Sequence, residues 1–188
     1  MDTTSVLNSG DIGWLLTATG LVLLMTPGLA LFYGGMVKKE NLLSTMFQSF
    51  ISMAVVSLLW ILVGFSLSFG SSIGGVIGNP LTYLGFRNVG LAADPTFAAT
   101  IPLALFALFQ MKFAVITPAL VTGAFSDRIR FKSYLLFMIF FSLFIYAPIA
   151  HWAWHPDGFL RKMGVLDFAG GTVVHISAGI AALISALM

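Results

Sequence analysis

Between Gly13 and Met36 the sequence holds no charged side chain, and the same is true between Leu43 and Phe69. About 20 consecutive apolar residues suffice to cross a lipid hydrocarbon core as a helix. Three further stretches qualify, and together the five predict an all-α polytopic membrane protein. Its transmembrane helices fall at about residues 13–36, 43–69, 99–125, 134–153 and 167–188. Composition agrees: 59% of the 188 residues are hydrophobic and 9% charged, against about 25% charged in a soluble domain. The mean hydropathy is +0.99. The lipid bilayer is therefore the first partner that the sequence implies. The connection GSSIGGVIGNPLTYLGFRNVGLAADPTF (Gly70 to Phe97) is too interrupted by Gly, Pro and polar residues to span.

The basic residues give an orientation. Lys38, Lys39, Arg128, Arg130 and Lys132 sit in the two short connections, whereas Arg87, Arg161 and Lys162 lie on the opposite side. The positive-inside rule puts the short basic loops in the cytoplasm, so the amino terminus is outside and Met188 inside. The start, MDTTSVLNSGDIGW, lacks the basic region of a secretory signal, so the first apolar segment is read as retained. The last helix stops at ALISALM without charge or cap, where a membrane helix normally carries anchoring residues. The chain is accordingly expected to be part of a larger protein.

Several chemistries find no support. With no Cys there is neither disulfide nor thiolate chemistry. No basic run interleaved with aromatics suggests nucleic acid. No nucleotide loop, GxSxG or paired carboxylates suggest an enzyme, and no cofactor is implied. His151 and His155 are four apart but straddle the turn at Pro156, with no carboxylate cluster to complete a metal site.

The polar residues within the spans carry the functional argument. His175 lies eight residues beyond Asp167, roughly 12 Å deeper along a helix. An ionisable group at that depth is a functional candidate by default; a neutral imidazole has one donor and one acceptor, suited to lining a pore or relaying a proton. Asp167 stands at the helix entrance, where it can cap Ala169 or Gly170 and also lower the energy of an approaching cation. Trp152 reads as an interfacial anchor. Trp154 reads equally well as an anchor or as a cation–π surface at a mouth. Phe106, Phe109 and Phe113 form a stripe at helical spacing. Gln110, Lys112 and Thr117 are the polar members of that helix, and Lys112 needs water, snorkelling room or a partner such as Asp167. Pro27 and Pro118 are expected to kink their helices, with neighbours satisfying the freed carbonyls.

Four motifs in order resemble the ammonium transporter (Amt/Mep/Rh) family from about Trp14 onward. They are PGLALFYGGMVKKENLLS (Pro27 to Ser44), FQMKFAVITPALVTGAFSDRIRF (Phe109 to Phe131), APIAHWAW (Ala147 to Trp154) and LDFAGGTVVHISAG (Leu166 to Gly179). The resemblance implies an eleven-helix fold of which residues 1–188 would be the amino-terminal half, the first of two inverted repeats. It implies a homotrimer with one pore per subunit in the cell's inner (plasma) membrane, and a PII-type regulatory protein as a cytoplasmic partner. By resemblance, Trp154 would recruit ammonium at the outer vestibule, where its presence favours the Amt branch. Phe113 would be one of two gating phenylalanines, Asp167 would support recruitment, and His175 would be the first of two pore-lining histidines. The implied activity is ammonium uptake: deprotonation of ammonium, conduction of ammonia, and net charge movement. The alternative is an ammonium sensor with a fused signalling module. The loop HPDGFLRKMG (His155 to Gly164) departs from the family's usual glycine-rich turn.

Overall fold

The computed structural model describes residues 7–126 and 128–188. Part of the amino-terminal stretch read above, residues 1–6, and Asp127 of the basic loop lie outside the described residues.

Helix α1 (Ser9–Met36) starts before the expected Gly13, because Asn8 caps it by accepting from the amides of Gly10 and Asp11. Such a cap satisfies donors that hydropathy does not register. Its buried residues are Thr26, Ala30 and Gly34, one stripe at four-residue spacing. That stripe lets the backbones approach, as small residues do in membrane bundles. A Cβ on Gly34 would lie 2.8 Å from Met46 Cγ. The helix continues without a break through Pro27.

Helix α2 (Leu42–Leu59) passes through a π-helical turn (Trp60–Gly64) into α3 (Phe65–Phe69). Thr45, Gln48, Ser49 and Ser52 form its buried face. Trp60, at the start of the π turn, is buried and donates its indole N–H to the Ala107 carbonyl at 3.0 Å, tying this run to the helix that holds Ala107. Around it, Phe65, Phe69 and Tyr146 make an aromatic core with centroid separations of 5.8, 6.2 and 6.2 Å.

The spanning elements are helical as expected, and the connection that follows adds two small antiparallel hairpins. Strands β1 (Ser72–Ile73) and β2 (Ile77–Gly78) pair antiparallel, as do β3 (Ala93–Asp94) and β4 (Ala98–Pro102). Gly74 and Gly75, at φ +61° and +76°, make the first turn in a region that other residues rarely adopt. Asp94 makes the second, its Oδ1 accepting from the amides of Thr96 and Phe97.

Helix α4 (Leu103–Leu120) starts after the expected residue 99, since the residue preceding a proline, here Ile101, is steered away from helix. Pro118 lies in its last turn. The helix gives way at Val121 to the short α5 (Thr122–Phe125), and the Tyr33 hydroxyl donates to the carbonyl of its last residue, Leu120, at 2.8 Å. Helix α6 (Phe131–Phe140) continues through a π turn (Phe141–Tyr146) into α7 (Ala147–Trp154). The widened turn directly precedes Pro148, which has no N–H to continue the ladder. A one-turn α8 (Phe159–Lys162) occupies the connection expected to be a plain loop.

The last span is shorter than residues 167–188. It comprises a π turn (Gly171–Ile176) and α9 (Ser177–Leu187), about 25 Å in all. Residues 167–170 serve as its cap, with Gly170 left-handed at φ +83°. Four helical runs, starting at Ser9, Lys39, Leu103 and Phe131, are long and apolar enough to cross a membrane; Gly171–Leu187 is apolar but shorter.

Candidate functional site: an aromatic cavity and a separate histidine recess

Three of the four sequence-derived site residues meet. Trp154, Phe113 and Asp167 line one open cavity of about 400 Å³, together with Phe109, Gln110 and Arg161. The Phe113 and Trp154 rings stand edge to face, 6.0 Å apart at 69°, and Phe109 packs edge-on to Phe113 at 5.0 Å. Trp154 Nε1 donates to the main-chain carbonyl of Asp167 at 3.0 Å, which fixes the indole's orientation. The Trp–Phe pair combines apolar area with an electron-rich ring face, the surface to which a small cation is drawn.

Asp167 is engaged in capping more fully than the sequence suggested. Oδ1 accepts from Gly170 and Gly171 at 2.7 and 2.8 Å, and Oδ2 from Thr172 and Val173 at 2.8 and 2.9 Å. Four amides at a helix start, otherwise without partners, converge on one carboxylate. The donors begin at Gly170; Ala169, also expected, contributes none. The anticipated pairing with Lys112 does not form. Among the described residues the one ion pair is Lys162 with Asp157, at 2.9 Å in the connection after α7.

His175 is not part of this cavity. It is exposed, on the π turn that follows the Asp167 cap, and lines a separate recess of about 270 Å³ with Tyr33, Leu120, Ala178 and Gly179. Its backbone N–H donates to the Gly170 carbonyl at 2.9 Å, and its ring bonds to no described residue. The same helix thus begins at the Trp154 cavity and carries the imidazole away from it.

Gln110 went without a role in the sequence reading. It lines the outer cavity, and its Oε1 is buried with no hydrogen-bond partner. Its position three residues before Phe113, on the same helix face, was the available signal. Trp152, read as an interfacial anchor, has a more specific partner: its indole donates to the Val76 carbonyl and braces the β1–β2 hairpin. His151 and His155 stack at 4.4 Å. Both nitrogens of His151 are occupied, by the Ser68 carbonyl and the Ser72 hydroxyl, and His155 Nδ1 accepts from the Asp157 amide. These bonds make the pair structural. In the connection between α3 and α4, burial, and then the nearby Asp94 carboxylate, push the Tyr83 phenol up from its usual range.

Known proteins share this arrangement of sequence and fold. The profile of the Ammonium Transporter Family matches residues 13–188. A putative ammonium transporter of Methanothermobacter thermautotrophicus is 52% identical over 97% of this chain and 44% of its own length. An ammonium transporter of Aquifex aeolicus is 50% identical over 97% of this chain and 42% of its own. The crystal structure of Saccharomyces cerevisiae Mep2 superposes with a TM-score of 0.89 at 36% identity, covering 100% of this chain and 41% of that one. The chain thus spans less than half the length of these relatives. A multi-pass helical membrane chain with this profile, these relatives and this fold belongs to the Ammonium Transporter Family.

Proposed function

We propose that this chain forms the outer recruitment site and one wall of the pore of a protein that takes up ammonium across the cell's inner (plasma) membrane. The amino terminus is outside and Met188 inside; the five helices act as the first inverted repeat of an eleven-helix subunit. The subunit assembles as a homotrimer, with a PII-type regulatory protein as its cytoplasmic partner. Ammonium settles against the Trp154 ring and passes the edge of Phe113. Beyond that point a charged ion is costly in an apolar path, so ammonium gives up its proton and ammonia moves on past His175. The proton follows separately, and transport carries net charge.

The observation that carries this reading is the meeting of Trp154 and Phe113 over one cavity, with the indole held by the Asp167 carbonyl. A ring face with a fixed orientation stabilises a cation without the oxygen cage that would strip water from potassium. No residue of the site favours the sensor reading over this one. The test is His175→Ala in the full-length protein, with ammonium-dependent current and potassium exclusion measured side by side. Current or selectivity should be lost; if both persist at wild-type levels, His175 is not the pore residue.

A further inference from the structure

We propose that Arg161 sets the affinity of the outer mouth: its fixed positive charge at the Trp154 cavity lowers cation occupancy there. The inference rests on the recruitment reading above and assigns that site a second, opposing determinant. Arg161 lines the same cavity as Trp154, Phe113 and Asp167. Its position is built in. The α8 turn is tied to the β1–β2 hairpin by the Phe159 amide on the Gly75 carbonyl at 3.1 Å and closed by the Val165 amide on the Leu160 carbonyl at 3.0 Å. Trp152 also packs on Phe159 at 5.2 Å.

Nothing described neutralises the guanidinium. The neighbouring Lys162 takes the Asp157 carboxylate, and no carboxylate oxygen of a described residue lies within 4.0 Å of Arg161. Asp167 turns both its oxygens toward four backbone amides. Asp94 and Asp157 line an adjoining recess with Tyr83 and His155. Besides the amide-bound Asp167 carboxylate, the recruitment cavity therefore holds an aromatic face that attracts cations and one side chain that repels them at every accessible pH, since a guanidinium does not deprotonate. Ammonium and potassium both meet this repulsion before any step that distinguishes them, whereas neutral ammonia does not. The charge thus acts on the concentration at which the site fills and leaves the rate of the filled site unchanged. Arg161 is exposed, so salt screens its effect.

The experiment measures ammonium-dependent current against concentration in the full-length protein, at low and high ionic strength, for Arg161→Gln, Arg161→Lys, Arg161→Glu and Trp154→Leu. Arg161→Gln should lower KM about two- to fivefold at low salt, the range of exposed charge interactions, with the maximal current unchanged and the difference shrinking at high salt. Arg161→Glu should lower KM further, and Arg161→Lys should behave as wild type. An unchanged or raised KM for Arg161→Gln, or an equal drop for Arg161→Lys, overturns the proposal. Trp154→Leu separates the two levels. If it raises KM while Arg161→Gln has no effect, recruitment at Trp154 stands and the role of Arg161 falls; if Trp154→Leu leaves KM untouched, the recruitment reading itself fails.

Discussion

Trp154 donates its indole N–H to the carbonyl of Asp167, while the Asp167 carboxylate holds the first four amides of the helix that carries His175. One residue thus joins the indole ring to the start of the helix that carries His175. A shift in the cap moves both the aromatic surface and the imidazole beyond it.

Replacing Trp154 separates the ring from its tether. Trp154→Phe keeps an aromatic face but loses the bond to Asp167, whereas Trp154→Leu removes the face as well. Uptake of labelled methylammonium by the full-length protein should show KM raised about fivefold for the first, given a net hydrogen bond of about 1 kcal/mol and a weaker ring. For the second it should rise about tenfold. Equal KM values for the two variants would mean that the face contributes nothing.

Asp167 separates stability from recruitment. Asp167→Ala leaves four amides without their acceptor and should cost about 2 kcal/mol or more, seen as a lower melting temperature of the detergent-solubilised full-length protein. Asp167→Asn retains one acceptor oxygen and should fall between. A melting temperature unchanged in Asp167→Ala would show that water replaces the cap at no cost.

Much of this arrangement was legible in the chain itself, and the rest was hidden for identifiable reasons. Hydropathy located the first four spans because lipid demands long apolar runs, but it overran the fifth, where Asp167 to Gly170 fold as a cap. The strands β3 and β4 escaped notice because they comprise few residues and are set by Asp94 and Pro102 more than by alternation. Trp154, Phe113 and Asp167 were identified individually from spacing and resemblance. Their convergence depends on how α4, α7 and the last span pack, which no local pattern encodes. Gln110 and Arg161 were overlooked as cavity residues for the same reason.

Tyr33 closes one side of the His175 recess. Its hydroxyl donates to Leu120 where α4 ends, its ring lies 3.2 Å from where a Cβ on Gly123 would stand, and it shares the His175 recess. Tyr33→Phe should cost about 1 kcal/mol and lower the melting temperature modestly with the ring contacts intact. Gly123→Ala forces the ring to give by a few tenths of an ångström and should destabilise through packing instead. Full retention of stability in Tyr33→Phe would show that the Leu120 carbonyl finds another donor.

Adjacent glycines in the cap should respond with opposite signs. Gly170 is at φ +83°, and a Cβ there would lie 2.7 Å from Val174 Cγ2. Gly170→Ala therefore combines a left-handed penalty of about 1–2 kcal/mol with a collision. Gly171 has no positive φ, and a Cβ on it meets nothing nearer than Asp167 Oδ1 at 4.0 Å. Gly171→Ala should be neutral or stabilise by up to about 1 kcal/mol, because alanine loses less chain entropy on entering a helix. Adding Val174→Ala to Gly170→Ala removes the collision but not the backbone strain, so rescue should be partial. Melting temperatures of the three full-length variants decide it: full rescue by Val174→Ala would assign the whole penalty to packing, and equal losses at both glycines would mean that the left-handed cap does not govern how this helix begins.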